Sequence, residues 1–505
     1  MIEMKFEWGR LAEDWLLARA HATPQASALF IGDAHWTYGQ LNVLVDIIVN
    51  QIRGYKKEDL RIAAFLPNNL AYVCLIHAAA RCGAILVPLN TRLSTEELNW
   101  QLEQAGCSLL IIDDDAADRF DNRVANDLVI IRSSTLFSSP PERGELTIPE
   151  YEPEGIQAIV FTSGTTGKPK GAKLTFSNHF YSAVASGYRL GVFSDDIWLC
   201  CLPLYHVGGL AILLRSCLYG TAVELHKGFD VAAVSESLNT RAISLISLVP
   251  TMVQRLLQYH VGIPWPTSLR HLLIGGAAVP AELIAQCYDL GIPVSVTYGL
   301  TEAASQVATM TPKEVLFKPG SAGKPLLFTS VEILSETGQV LPANEVGEIV
   351  VRGPTVMAGY DRDEAGTARV LQGGWLHTGD VGMRDDDGDL WVLQRRDDII
   401  ISGGENVYPS EVEGVLEAHP AVRQACVVGI ENQEWGQQVA AAITLENDVS
   451  ISIPELLASC RRHLAGYKLP RQIIVLPAMP LTASGKIQRR AVIDLLEDSE
   501  NRQLK

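Results

Sequence analysis

From residue 61 the chain alternates short apolar runs with longer stretches of helical periodicity. Apolar runs at residues 62–66, 84–88 and 108–112 are separated by helical patterns at Leu70–Arg81 and at residues 95–106. The alternation returns with apolar runs at residues 197–202, 222–225, 242–249, 269–274 and 293–297. Strands spaced by helices in this way join through crossovers, so the pattern predicts parallel βαβ units and an α/β fold class. With 505 residues the chain exceeds one core, and two or more domains are expected. From residue 320 the texture changes to short alternating runs at residues 331–334, 347–351 and 390–393, which read as an antiparallel β region. Charges and glycines cluster at residues 394–404, a candidate boundary, and a unit of α+β pattern follows. No internal repeat is evident.

Local signals refine this frame. Thr37 with Gln40 three positions on predicts a capping box, after a helix at residues 11–20 and a strand at residues 26–31. Asp113, Asp114 and Asp115 follow an apolar run; they read as a solvated strand-end turn rather than a metal cluster. A polar, proline-bearing connector at residues 138–144 leads to the apolar run at residues 156–160.

After that run comes Phe161-Thr162-Ser163-Gly164-Thr165-Thr166-Gly167-Lys168-Pro169-Lys170-Gly171-Ala172-Lys173. Gly164, Gly167 and Pro169 break any period, so this stretch is expected to lie outside the core. Glycines let the backbone approach a bulky anion, amides and hydroxyls donate to it, and lysines supply charge. The pattern predicts a phosphate-binding loop. It is not the common NTPase loop, because Gly164 and Gly167 are too close and Pro169 follows Lys168. The plain alternative is a polar surface loop.

Residues 161–173 resemble, nearly letter for letter, the signature loop of the adenylate-forming enzymes, which comprise acyl- and aryl-CoA ligases, luciferases and peptide-synthetase adenylation domains. Further matches follow in the family's order: Gly275-Gly276-Ala277, Tyr298-Gly299-Leu300-Thr301-Glu302, Thr378-Gly379-Asp380, Gln394-Arg395-Arg396-Asp397, the stretch from Ser402 to Glu413, and Pro480 to Ile487. Alone, Tyr298 to Glu302 would be an ordinary capped turn and Asp380 a turn aspartate. The family's usual Asp or Gly is replaced by Gln394. The resemblance implies a large N-terminal domain (residues 1–394) of two βαβ-type subdomains plus a small β-barrel-like region. A hinge (395–398) and a small α+β C-terminal domain (399–505) follow.

By that resemblance the substrates are ATP, a carboxylic acid and CoA, with Mg²⁺ as cofactor. Thr162, Ser163, Gly164, Thr165, Thr166, Gly167 and Lys170 would meet the β- and γ-phosphates. Gly275, Gly276, Ala277, Tyr298 and Gly299 would hold adenine, Asp380 and Arg395 the ribose, and Thr301 the α-phosphate. Glu302 and Thr166 would bind the metal, a hard cation that takes oxygen ligands beside phosphates. Lys486 would bridge the acid and the α-phosphate. Asp397 would be the hinge, and Gly403 and Gly404 would let the backbone lie close to the CoA arm.

Pro203-Leu204-Tyr205-His206-Val207-Gly208-Gly209-Leu210, residues 320–325 and Thr301-Glu302-Ala303-Ala304-Ser305-Gln306 resemble the branch that activates o-succinylbenzoate for menaquinone or phylloquinone biosynthesis. His206, Gly208, Gly209 and Ser305 would line the acyl pocket; the alternative for His206 is a gate on an apolar tunnel. A second carboxylate left buried needs a polar partner or water. No arginine of the sequence is unambiguously marked for it. Medium-chain fatty-acid or arylpropenoate CoA ligases are the runner-up. A peptide-synthetase domain is disfavoured, as no carrier segment follows Lys505. A non-catalytic ATP-binding regulator is disfavoured because Lys486 and Glu302 are retained.

The net charge of −17 opposes a nucleic-acid or anionic-membrane partner. Nine cysteines without a C-x-x-C pair suggest reduced thiols. The start of the chain lacks the apolar core of a signal peptide, and His77, Arg81 and Gly83 interrupt the longest apolar stretch, so no membrane span is expected. A cytoplasmic location follows, and a homodimer or larger homo-oligomer is compatible with the sequence.

Overall fold

The computed structural model describes residues 14–55, 59–119, 128–138, 152–162, 169–277, 279–394, 399–446, 449–480 and 487–503. Contacts divide the chain into two compact units. The first comprises Met1–Thr91, Leu102–Phe161 and Gly171–Gln394; the second comprises Arg92–Gln101, Thr162–Lys170 and Arg395–Lys505.

The first unit carries two sheets with parallel centres, as the strand–helix alternation predicts. In the nine-stranded sheet Val294–Leu300, His271–Ile274, Leu245–Leu248, Ile197–Cys200, Ala222–Leu225 and Ser27–Ile31 lie side by side and parallel. Ala34–Thr37 closes one edge antiparallel; Ser305–Thr309 and Lys324–Pro325 extend the other. The six-stranded sheet runs Val129–Arg132, Leu109–Ile112, Arg61–Phe65, Ile85–Pro88, Ile156–Thr162 and Lys170–Thr175. The four residues of Leu109–Ile112 are buried throughout, which is why this strand reads as an unbroken apolar run; those of Leu245–Leu248 are buried too, and the one polar residue there, Ser247, accepts from Trp198 Nε1 at 3.0 Å.

Helices form where their ends are spelled locally. Thr37 accepts from the Gln40 amide while the Gln40 side chain accepts from the Thr37 amide, opening the helix Tyr38–Arg53. Asn69 caps Leu70–Arg81 in the same manner, without the reciprocal bond. At the end of that helix the buried Arg81 guanidinium is held by Asp14, Asp46 and Asn42. No helix among the described residues is long and apolar enough to cross a membrane. Asp114 accepts from the Ser133 hydroxyl and from the hydroxyl and amide of Ser134.

One expectation needs correction. Lys170, Gly171, Ala172 and Lys173 belong to a strand, Lys170–Thr175, not to an open loop. Gly171 sits so close to Ile159 that a Cβ would meet Ile159 Cγ2 at 2.6 Å, so here glycine marks tight strand packing. The antiparallel region forms a five-stranded sheet. Ser330–Leu334, Gly347–Arg352, Trp375–Arg384 and Leu371–Gln372 follow one another, and Leu390–Gln394 pairs with Trp375–Arg384. Among the described residues no pairing joins Ser330–Leu334 to Leu390–Gln394, and Leu390 also bridges Gly323, so the barrel-like detail is not confirmed.

In the second unit Glu405–Val407, Ile400–Ser402, Gly436–Leu445 and Val422–Asn432 form an antiparallel sheet, with Gln472–Val475 parallel to Gly436–Leu445. Successive residues face opposite sides. Ala425 and Val427 pack with Val412 and Leu416 of the helix Pro409–Glu417, whereas Cys426 and Val428 pack with Val492 and Leu496 of Arg489–Gln503.

Candidate active site

Tyr298, Gly299, Thr301 and Glu302, expected at the adenine, the α-phosphate and the metal, share one turn. Val294–Leu300 ends in a single 3₁₀ turn, Thr301–Ala303, before the chain reverses into Ser305–Thr309. The reversal is tight. A Cβ on Gly299 would lie 1.8 Å from the Ser305 carbonyl oxygen. Ala304 and Ser305 are both left-handed, with φ of 50° and 98°, a conformation costly for residues bearing a Cβ. Tyr360 donates its hydroxyl proton to Glu302 Oε1 at 2.8 Å, and the Met357 amide donates to the Glu302 carbonyl at 2.9 Å.

Gly275, Gly276 and Ala277 leave the carboxyl end of the neighbouring parallel strand, His271–Ile274, where ligands of open α/β sheets bind. A Cβ on Gly275 would meet Thr297 Cγ2 at 2.7 Å, and Gly276 has φ of +81°. Asp380 comes from the distant strand Trp375–Arg384, yet it is buried against this turn and accepts from the Tyr298 hydroxyl at 2.6 Å. Locally the Asp380 amide donates to Thr378 Oγ1, whose hydroxyl donates to the Ile349 carbonyl. Of the residues expected at the adenine, ribose and metal, Gly275, Gly276, Tyr298, Gly299, Asp380 and Glu302 are thereby brought together.

Of the loop, Thr162 and Lys170 are described; Thr162 Oγ1 reaches the Lys170 carbonyl at 3.5 Å. Ser163, Gly164, Thr165, Thr166 and Gly167 lie outside the described residues, as do Arg395, Asp397 and Lys486. The strand leaving the loop is anchored by a residue that sequence reasoning missed. Tyr360 stands opposite Ala172 in an antiparallel bridge, and its side chain is the one bonded to Glu302. No motif marks Tyr360, because its partners lie far away in the chain.

The acyl-side residues divide into two kinds. Gly209 is required by packing: its Cβ would sit 2.3 Å from the Pro203 carbonyl oxygen. Gly208 has space above it, with Leu202 Cδ1 the nearest atom at 3.5 Å. His206 is the half-buried residue before the helix Val207–Tyr219, its ring 4.7 Å from that of Tyr205 and tilted across it. Ser305 lies in the strained reversal.

Seven positions beyond Gly208, and therefore on the same face of the helix, stands Arg215. It is buried, its Nη2 donates to Ser182 Oγ at 3.0 Å, and its Nε has no partner. Among the described residues no carboxylate pairs with it. Burial lowers its pKa. His179, from the facing helix Phe176–Leu190, is buried too; burial, with Arg215 nearby, pushes it down to about 3, so it is neutral. A lone arginine in the run Ala-Ile-Leu-Leu-Arg-Ser-Cys-Leu was the signal available in the sequence.

In the second unit Gly403 and Gly404 form the two-residue turn between Ile400–Ser402 and Glu405–Val407, with φ of +59° and +83°. A Cβ on Gly403 would meet the Trp435 ring at 2.7 Å. Turn geometry and this ring account for the glycines without any ligand.

One group of acids that could hold a metal comes together among the described residues: Asp385, Asp387 and Asp389. The Lys318 ammonium already sits among them, at 2.7, 2.7 and 2.6 Å. It is an ion-pair cage filled by the chain's own cation.

This geometry can be set beside known proteins. The family model "AMP-binding enzyme" matches residues 16–361, and "AMP-binding enzyme C-terminal domain" matches residues 411–486. A 2-succinylbenzoate–CoA ligase of Geobacillus sp. (strain WCH70) is 40% identical over 490 residues, 97% of this chain and 98% of that protein. The o-succinylbenzoate CoA synthetase of Bacillus subtilis, as a double mutant bound to the product analogue OSB-NCoA, superposes with a TM-score of 0.90 at 39% identity, covering 95% of this chain and 98% of that one. The same Bacillus subtilis enzyme in complex with ATP and magnesium ion gives 0.73 at 39% identity, covering 94% and 98%. On the matched models, the shared turn of Tyr298 and Glu302 and the near full-length relatives, the chain belongs to the AMP-binding enzymes, the adenylate-forming family.

Proposed function

We propose that this protein is an ATP-dependent ligase that activates o-succinylbenzoate as an acyl-adenylate and transfers the acyl group to CoA, a step of menaquinone or phylloquinone biosynthesis. The observation that carries the choice of acid is Arg215. A buried guanidinium without an acidic partner is costly, and a second substrate carboxylate would supply the missing charge. Two helical turns, about 10 Å, separate Arg215 from the open space above Gly208, room for an aromatic ring between the two ends of a dicarboxylate. A fatty acid would leave Arg215 uncompensated.

In the first half-reaction a succinyl carboxylate oxygen attacks the α-phosphorus, the bond to the bridging oxygen breaks, and pyrophosphate leaves. Both reactants are anionic. Lys486 between the carboxylate and the α-phosphate would lower their repulsion and stabilise the charge that builds in the transition state. Thr301 would donate to an α-phosphate oxygen, Asp380 and Arg395 would bind the ribose, and the loop residues Thr162 to Gly167 with Lys170 would grip the leaving pyrophosphate. Glu302 and Thr166 offer hard oxygen donors that fit magnesium, which bound with ATP would neutralise phosphate charge. The hydrogen bond from Tyr360 orients the Glu302 carboxylate for that task.

In the second half-reaction the CoA thiolate attacks the acyl carbonyl and AMP leaves. Residues 1–394 would act as the nucleotide domain and 399–505 as a smaller domain turning about Asp397 between the halves. Nine cysteines without a C-x-x-C pair support a cytoplasmic location. A panel of acids supplied with ATP and CoA, followed by pyrophosphate release, tests the reading. Turnover of o-succinylbenzoate well above fatty acids and arylpropenoates is expected; the reverse order would overturn the substrate and leave the family intact.

A further inference from the structure

The Arg215 side chain does not end at the acyl pocket. Its Nη2 donates to Ser182 Oγ at 3.0 Å, and the Ser182 hydroxyl donates onward to the Ala304 carbonyl at 2.7 Å. The direction is unambiguous, since a guanidinium only donates and a carbonyl only accepts, so the one hydroxyl proton must point to Ala304. Ser182 is 2% exposed, and this chain of bonds has no access to water that could replace it. Ala304 and Ser305 are the consecutive left-handed residues that close the turn bearing Thr301 and Glu302. Such a turn persists where neighbouring contacts hold it.

We infer that Ser182 is a positioning residue that ties recognition of the acid's second carboxylate to the turn carrying Thr301 and Glu302. The inference rests on the reading of Arg215 as the partner of that carboxylate. With one Nη2 proton committed to Ser182, the Nη1 amino group, to which no described residue is bonded, and the unpartnered Nε are the donors left to the acid. A carboxylate there fixes the guanidinium, the guanidinium fixes the serine hydroxyl, and the hydroxyl holds the Ala304 carbonyl. Hydrogen bonds in series strengthen one another in a buried setting. A dicarboxylate therefore sharpens the geometry around the α-phosphate, and the benefit falls on turnover rather than on binding alone.

The test uses the full-length protein with ATP and CoA, and compares o-succinylbenzoate with the benzoylpropionate that lacks the ring carboxylate. Ser182→Ala is expected to lower kcat for o-succinylbenzoate about tenfold with KM changed less than about twofold, and to lower benzoylpropionate turnover at least about fivefold less. Ser182→Thr, which keeps the hydroxyl, should recover most of the loss. Equal losses on both acids, a change confined to KM, or no rescue by threonine would overturn the coupling. Arg215→Met separates the two ideas. If it abolishes the preference for the dicarboxylate while Ser182→Ala acts equally on both acids, the coupling alone fails. If the preference survives Arg215→Met, the reading of Arg215 fails with it. Should Ser182→Ala fold poorly, Ser182→Gly and Ser182→Cys provide the same comparison.

Discussion

Tyr298 donates its phenolic proton to Asp380 at 2.6 Å, across 82 positions of sequence, and both side chains are buried. One residue comes from the end of a parallel strand, the other from the antiparallel sheet. Their bond joins the expected adenine and ribose sites into one unit, so each should depend on the other.

Tyr298→Phe keeps the ring and removes the donor. A hydrogen bond to a charged group contributes about 1.5–3 kcal/mol. The KM for ATP should rise about tenfold with the fold retained, since Asp380 loses the partner that orients it. Steady-state kinetics at saturating acid and CoA, with circular dichroism as control, would measure this; an unchanged KM would count against Asp380 as the ribose acid.

Adjacent glycines before the Arg215 face should respond differently. Gly209→Ala forces a methyl within 2.3 Å of the Pro203 carbonyl oxygen and should destabilise the protein by about 1–3 kcal/mol. Gly208→Ala meets nothing closer than 3.5 Å and should stay within about 0.5 kcal/mol of the parent. It should instead raise the KM for the acid. Denaturant midpoints together with kinetics on both variants separate packing from pocket.

The cage around Lys318 predicts a response to acid. Burial pushes the Asp385 carboxyl up, but bonds from Lys318, Trp391 and the Asp389 amide outweigh it and hold it down at about 2. An unfolded aspartate titrates near pH 4, to a rough value. The folded value is the lower one, so this stabilisation is present above about pH 4 and is lost as pH falls through about 2. Asp385→Asn should melt below the parent at pH 7, and the gap should narrow between pH 4 and 2. Thermal melts across that range test it.

Lys486→Ala should abolish adenylation while leaving thioester formation from preformed acyl-AMP largely intact. Pyrophosphate release reports the first half, and CoA consumption with added acyl-adenylate the second. Equal loss of both would remove Lys486 from its assigned place between acid and α-phosphate.

The legible parts of this protein are those whose signal is local. The Thr37–Gln40 capping box spans three positions and appears as spelled; Leu70–Arg81 begins and ends where its periodicity and Asn69 cap require. The parallel sheets follow from apolar runs separated by helices, because a buried strand needs no polar alternation. Glycine motifs were less transparent. Gly171 marks close strand packing, and Gly403 answers to its turn and to Trp435, so a glycine in a functional stretch need not face a ligand.

By itself the sequence determined the family, the strand–helix order and the candidate contacts to ATP, since each rests on residues adjacent in the chain. Only the tertiary structure decided which of them meet. Tyr298 with Asp380, Tyr360 with Glu302, Arg215 with Ser182, and Ser182 with Ala304 are joined across 82, 58, 33 and 122 positions. Hydrogen bonds of that reach carry no period and no cap. They arise when sheets and helices bury polar groups together, because a buried polar group must find a partner wherever the fold supplies one.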